Sequence, residues 1–98
     1  MKTFILLTKL TNECLSNISE RKTTSRNWLE HVKDKCPEVK FIAHYALLGQ
    51  YDFLDIYEAP DDETAAKVSI ISRANGAFEA QSLIAVPYKK YLELVTEI

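Results

Sequence analysis

Residues 38–58, EVKFIAHYALLGQYDFLDIYE, set two apolar runs on either side of a glycine-containing turn. A hairpin constrains more than its own strands, because its turn decides which residues face each other. Gly49-Gln50 reads as a two-residue type II′ turn, with Gly49 supplying φ > 0. Leu48 then pairs with Tyr51, and the register runs back so that His44 lies opposite Asp55. Paired residues share a face. One face carries Phe41, Ala43, Tyr45, Leu47, Asp52, Leu54, Ile56 and Glu58. The other carries Ile42, His44, Ala46, Leu48, Tyr51, Phe53, Asp55 and Tyr57. Both are substantially apolar, so the chain must cover a sheet from two sides.

The remaining segments supply the other elements. Residues 2–9, KTFILLTK, are apolar on both alternating faces, as in a central strand covered on both sides. Thr11 and Asn12 are helix starters. From 13 to 36 the helical spacing is clear at the ends, with a Leu15/Ile18 pair and a Trp28, Leu29, Val32, Cys36 stripe. The polar middle, SERKTTSRN, predicts a kink between a short helix and a longer one closed by Pro37. After Ala59-Pro60, Asp61 is an N-cap for a helix with Ala65, Ala66, Ile70 and Ala74 on one side, widened by Val68 and Ile71. Asn75-Gly76 ends it. Residues 77–86 form a fourth strand, and Pro87 opens a final helix.

The order β-α-β-β-α-β is the split βαβ, ferredoxin-like pattern, an α+β fold with one four-stranded antiparallel sheet. Right-handed crossovers put both main helices on one side and give the strand order 4-1-3-2. The aliphatic set around Leu54 and Ile56 is expected under the helices. The set bearing Tyr51, Phe53 and Tyr57 then lies bare, and soluble monomers rarely leave such a patch open. A second copy packed face to face closes it, giving a homodimer, or a higher oligomer built from it.

The whole of 1–98 is read as a single domain. Net charge is −2 with a pI of about 5.6, unlike the basic patch of a nucleic-acid binder. The apolar run Phe4–Leu7 is too short for a signal peptide or a membrane span. Cys14 and Cys36 form no C-x-x-C pair and read as reduced thiols. A cytoplasmic protein without nucleic-acid or membrane partners is expected. No metal-ligand spacing and no nucleotide or serine-hydrolase motif occurs, so no metal and no cofactor are predicted.

The stretch L-G-Q-Y-D, an apolar strand and then E-A-P-D-D-E-T-A-A (Glu58–Ala66) resembles the GYD-domain family of small bacterial and archaeal proteins. Gly49, Tyr51 and Asp52 stand at the signature positions, with Gln50 interposed. The likeness extends over the whole chain, more loosely over 12–36. It implies the dimeric α/β-barrel superfamily. The family carries no established chemistry, so the resemblance assigns no catalytic residue.

The residues themselves offer one candidate pair. His44 opposite Asp55 could work as a base with its orienting carboxylate, or serve as a hydrogen-bonded polar pair in an apolar interface. Ile42, Tyr51, Phe53 and Tyr57 join them as candidate ligand-lining residues in the dimer cavity. Tyr88 and Tyr91 are placed at its mouth, and His31 on the surface. Asp52 is expected to cap backbone donors near the hairpin end. The first functional reading is a non-enzymatic homodimer that binds a small apolar or aromatic ligand. The alternatives are a small cofactor-free enzyme of oxygenase or isomerase type, with His44, Asp55 and a tyrosine oxyanion donor (Tyr51 or Tyr57), and a ligand-sensing partner of a regulator acting in trans.

Overall fold

The computed structural model describes residues 1–98. Strand β1 (Lys2–Leu10) leads into a short helix α1 (Asn12–Ser16), a 3-10 turn at Ile18–Glu20 and helix α2 (Arg21–Lys35). Strands β2 (Lys40–Ala46) and β3 (Phe53–Ala59) follow, then α3 (Asp62–Ala74), β4 (Ala77–Ala85) and α4 (Tyr88–Val95). The sheet is antiparallel in the order β2-β3-β1-β4, the ferredoxin-like arrangement that the element order implies.

Local chemistry explains the element ends. Thr11 Oγ1 accepts from the Cys14 amide at 3.1 Å, and Asp61 Oδ1 accepts from the Thr64 amide at 2.8 Å, each satisfying a free donor in a first helical turn. Hydrogen bonds from Thr64, side chain first and then amide, hold the Asp61 carboxyl below its usual range. Gly76, after α3, has φ +105°, and a Cβ there would come within 2.9 Å of Cys14 Sγ. Only glycine meets both conditions.

The kink between α1 and α2 falls at 17–20, earlier than the polar composition suggests. The polar stretch from Arg21 to Asn27 is helical. It rides on the anchors Val32 and Cys36, 1% and 2% exposed, and tertiary packing overrides its weak propensity. Leu15 and Ile18 do not form a packed pair, and Ile18 projects into solvent. In α3 the buried side is Thr64, Ala65, Val68, Ile71 and Ser72, whereas Ala66, Ile70 and Ala74 face out. The helix is rotated from the expected setting: Ala65, Val68 and Ile71 join the core cluster, and Ile70 stands 64% exposed.

The largest correction concerns the sheet faces. The register expected for the hairpin is present over Ala46–Phe53, Tyr45–Leu54 and His44–Asp55. The turn is not a two-residue one: the segment 47–52 connects the strands, closed by Leu47 N–H on Asp52 O at 2.8 Å. Gly49 does not have positive φ. A bulge at Ile42 puts Phe41 opposite Tyr57 and Ala43 opposite Ile56, so Phe41 changes sides. The face under the helices is the one with Phe53, Asp55 and Tyr57. It continues across β1 through Phe4, Leu6 and Thr8, all buried. The bare face carries Ile5, Leu7, Leu54, Ile56, Ala43 and Tyr45, with Leu83 from β4.

The reason lies in Tyr57 and its neighbours. Its ring stacks on Phe4 with centroids 5.5 Å apart and meets Phe41 at 5.9 Å. Its hydroxyl reaches Ser82 Oγ at 2.7 Å, and Ser82 in turn meets Ser69 Oγ of α3 at 2.7 Å. Burial pushes the Tyr57 phenol up, opposed by the Ser82 hydrogen bond. Only the helix side offers those polar partners. An aliphatic face needs no such partners and can be left for another surface.

Asp52 fastens the other end of β1. Its amide donates to Thr8 O and its Oδ2 accepts from Leu10 N–H, both at 2.8 Å. The β1–β4 pairing shifts register between Lys9 and Leu10. Asp52→Ala strands that part-buried donor and is expected to cost about 1–3 kcal/mol. Urea unfolding measures it, and Asp52→Asn, which keeps an acceptor, is expected to recover most of the loss.

Candidate functional site

His44 on β2 and Asp55 on β3 meet as cross-strand neighbours on the helix side of the sheet. His44 Nδ1 lies 2.5 Å from Asp55 Oδ1. The Asp55 side chain is 8% exposed, while that of His44 remains 46% exposed. Burial pushes the Asp55 carboxyl above its ordinary value, opposed by the hydrogen bond and charge of His44. With Nδ1 engaged, Nε2 has no protein partner.

Aromatic rings hold the imidazole in place. Phe41 lies 5.1 Å from it and Trp28 meets it edge-on at 6.3 Å. Trp28 is itself fixed, since its Nε1–H donates to Ser72 Oγ at 2.8 Å and Ser72 donates to Val68 O at 3.0 Å. Between α2 and the sheet these groups border a pocket of about 330 Å³. Arg21, Thr24, Ser25 and Trp28 line it from α2, Phe53 and Asp55 from β3, Thr8 and Leu10 from β1, and Asn75 from the end of α3.

Of the residues singled out from sequence, the pocket brings together His44, Phe53 and Asp55. It lies under the helices of one copy, not in a space between two sheets. Ile42 is the exposed bulge residue and takes no part. Tyr57 is fully buried in the core beyond it. The Tyr51 hydroxyl accepts from Gln81 Nε2 at 3.2 Å, over β4. Neither tyrosine stands beside His44 as an oxyanion donor. Tyr88 and Tyr91 stack on each other at 5.9 Å on α4, which follows the strand end paired with Thr3, away from the pocket at Thr8 and Leu10. His31 is half-buried, and its Nδ1 is 3.1 Å from Asn75 Nδ2.

Sequence reasoning missed Arg21, Thr24, Ser25, Ser72 and Asn75. One signal was available for part of this set. Arg21, Thr24, Ser25 and Trp28 follow the i, i+3, i+4, i+7 spacing of one helix face. The assumed kink within that stretch hid the pattern.

Two helices on one side of a β2-β3-β1-β4 sheet, with the other side bare, define a ferredoxin-like α+β fold of the kind found in small α/β proteins. The chain belongs to the GYD domain family, whose profile matches residues 4–95. It is 30% identical over 93 residues to the glutamine synthetase and cystathionine beta-lyase binding protein of Thermus thermophilus. That match spans 89% of this chain and 90% of the relative. Among solved structures, FFRP-DM1 superposes with a TM-score of 0.58 at 18% identity, over 88% of this chain and 100% of that one. The hypothetical protein PHS023 from Pyrococcus horikoshii gives 0.56 at 18% identity, over 89% and 92%. At those identities the structural likeness shows the fold alone. No helix is long and apolar enough to cross a membrane.

The buried carboxyl gives the site a pH signature. Because the folded state raises the Asp55 pKa above its ordinary 3.8, folding favours the protonated acid. The stability Asp55 contributes is therefore fully present below 3.8 and lost as pH rises through the raised value. Asp55→Asn cannot titrate. Its stability relative to the unsubstituted protein is expected to increase as pH rises through that window, measured as urea midpoints in a pH series. A pH-independent difference would mean that the carboxyl titrates normally in the fold.

Proposed function

We propose that this chain is a non-catalytic binding protein that works as a homodimer, two copies closing their bare sheet faces on each other. The observation carrying this reading is the apolar face of Ile5, Leu7, Leu54, Ile56 and Leu83, which lies opposite the buried Phe4, Leu6 and Tyr57 side and is left half-exposed, Leu83 at 46%. Soluble monomers rarely present an apolar surface of this kind. A two-fold axis makes the patch its own partner, at an ordinary interface size of roughly 800 Å² per copy. The reading takes 1–98 as one domain and places it in the cytoplasm, where two unpaired thiols are the rule.

The pocket under α2 then remains accessible in each copy as a site for a small apolar or aromatic molecule. Binding is favoured over catalysis because the two tyrosines expected to stabilise a developing anion beside His44 are held elsewhere, Tyr57 by Ser82 and Tyr51 by Gln81. The name of the Thermus relative extends the proposal to protein partners. Enzymes of the kind that name prints, glutamine synthetase and cystathionine beta-lyase, are the first to test here.

Sedimentation at micromolar concentration is expected to give a dimer, and Ile56→Lys, which sets a charge in the centre of the bare face, a folded monomer. A clean monomer for the unsubstituted chain would overturn the assembly. In a separate binding assay, the immobilised dimer is expected to retain purified glutamine synthetase or cystathionine beta-lyase from its own source. Retention of neither removes those partners and leaves the dimer standing.

A further inference from the structure

The pocket contains a cation that no acid in the chain accompanies. Arg21, on the first turn of α2, donates through Nη2 to Cys14 O at 2.7 Å and lies 3.6 Å from Cys14 Sγ through Nη1. Its guanidinium carbon is 5.9 Å from the centre of the Phe53 ring. None of the chain's ion pairs, Lys2–Asp62, Lys35–Asp34, His44–Asp55 and Lys90–Glu93, involves Arg21. A guanidinium has five N–H donors in a planar fork, so its contacts with Cys14 leave donors unused. Asp55 is the one acidic residue lining the pocket, and its Oδ1 is committed to His44.

From this juxtaposition the geometry points to a two-ring aromatic carboxylic acid as the ligand of the α2-side pocket, its carboxylate on Arg21 and its rings between Trp28 and Phe53. The inference rests on the reading of this pocket as a small-molecule site and adds the chemistry that would fill it. The space accommodates two rings. The pocket measures about 330 Å³, roughly twice a 150 Å³ cavity that admits benzene. The walls set the apolar body: Trp28, Phe53, Leu10 and Leu29 present rings and methyl groups. Arg21 sets the charge, since its fork matches a carboxylate better than any neutral group. Ser25, from the same helical turn, adds a hydroxyl donor beside it, whereas the Thr24 hydroxyl donates to Glu20 O at 3.0 Å. The free Nε2 of His44 is a further polar contact for a ring substituent.

The single tryptophan of the chain lines this pocket, which makes its emission a local reporter. The probes are 2-naphthoate and its neutral counterpart 2-naphthalenemethanol, titrated calorimetrically into the full-length protein with Trp28 emission followed in parallel. The acid is expected to bind at least about tenfold more tightly than the alcohol, as a charge-assisted hydrogen bond allows. Arg21→Gln is expected to abolish the preference. Because Arg21 also holds the Cys14 carbonyl, a second variant is needed. Thr24→Glu places a negative charge in the first helical turn, where the helix dipole tolerates it, and is expected to reject the acid while still accepting the alcohol. Equal binding of acid and alcohol, or undiminished acid binding by folded Thr24→Glu, overturns the carboxylate assignment and leaves a small-molecule pocket. If neither probe binds, the pocket reading falls with it.

Discussion

Tyr57 is the residue around which the packing is organised. Its ring sits between Phe4 and Phe41, and its hydroxyl ties β3 to β4 through Ser82 and onward to Ser69 on α3. A buried phenol without partners would be a large penalty, whereas one placed in a network of hydroxyls fixes the orientation of everything near it. That requirement decides which side of the sheet meets the helices. Once Tyr57 points inward, the two-residue period of β3 sends Phe53 and Asp55 inward as well, and the aliphatic Leu54 and Ile56 to the bare side. His44 follows because it pairs with Asp55, whose buried carboxyl is otherwise unsupported. Core packing and the polar pair at the pocket are therefore consequences of one choice of face.

The bulge at Ile42 is what lets the edge strand serve both ends of this arrangement. Without it, Phe41 would share a face with Ala43 and Tyr45 and would leave Tyr57 uncovered. With it, Phe41 turns in beside Trp28 and Tyr57, while His44 keeps its register with Asp55. Strand alternation alone cannot reveal such an insertion, because Phe41, Ile42 and Ala43 are all apolar and either phase looks acceptable. The aromatic residues of β3 mislead for a related reason. Tyr, Phe and His suit an interface as well as a polar-threaded core, so residue type does not separate the two.

The site was legible in part. The cross-strand meeting of His44 and Asp55 could be read from hairpin register, since neighbours in an antiparallel pair are fixed by counting back from the connection. The longer connection 47–52 did not disturb that count, because Leu47 and Asp52 still close it. The roof of the pocket could not be read in the same way. Arg21 and Trp28 come from a helix far away in sequence, and their position depends on how α2 settles on the sheet and on α3. The Trp28–Ser72 and His31–Asn75 contacts that fix that setting join residues with no sequence signal between them.

By itself, the sequence determined the element order, the strand order, the caps at Thr11, Asp61 and Gly76 and the His44–Asp55 pairing. Those features depend on local chemistry and chain topology, which act over a few residues or through the handedness of connections. Only the tertiary structure decided which face of the sheet is buried, where the helix kink falls and that the pocket belongs under α2. Those outcomes turn on satisfying buried hydroxyl, indole and carboxyl groups all at once. That is a three-dimensional condition, and two nearly equally apolar faces cannot express it in a linear pattern.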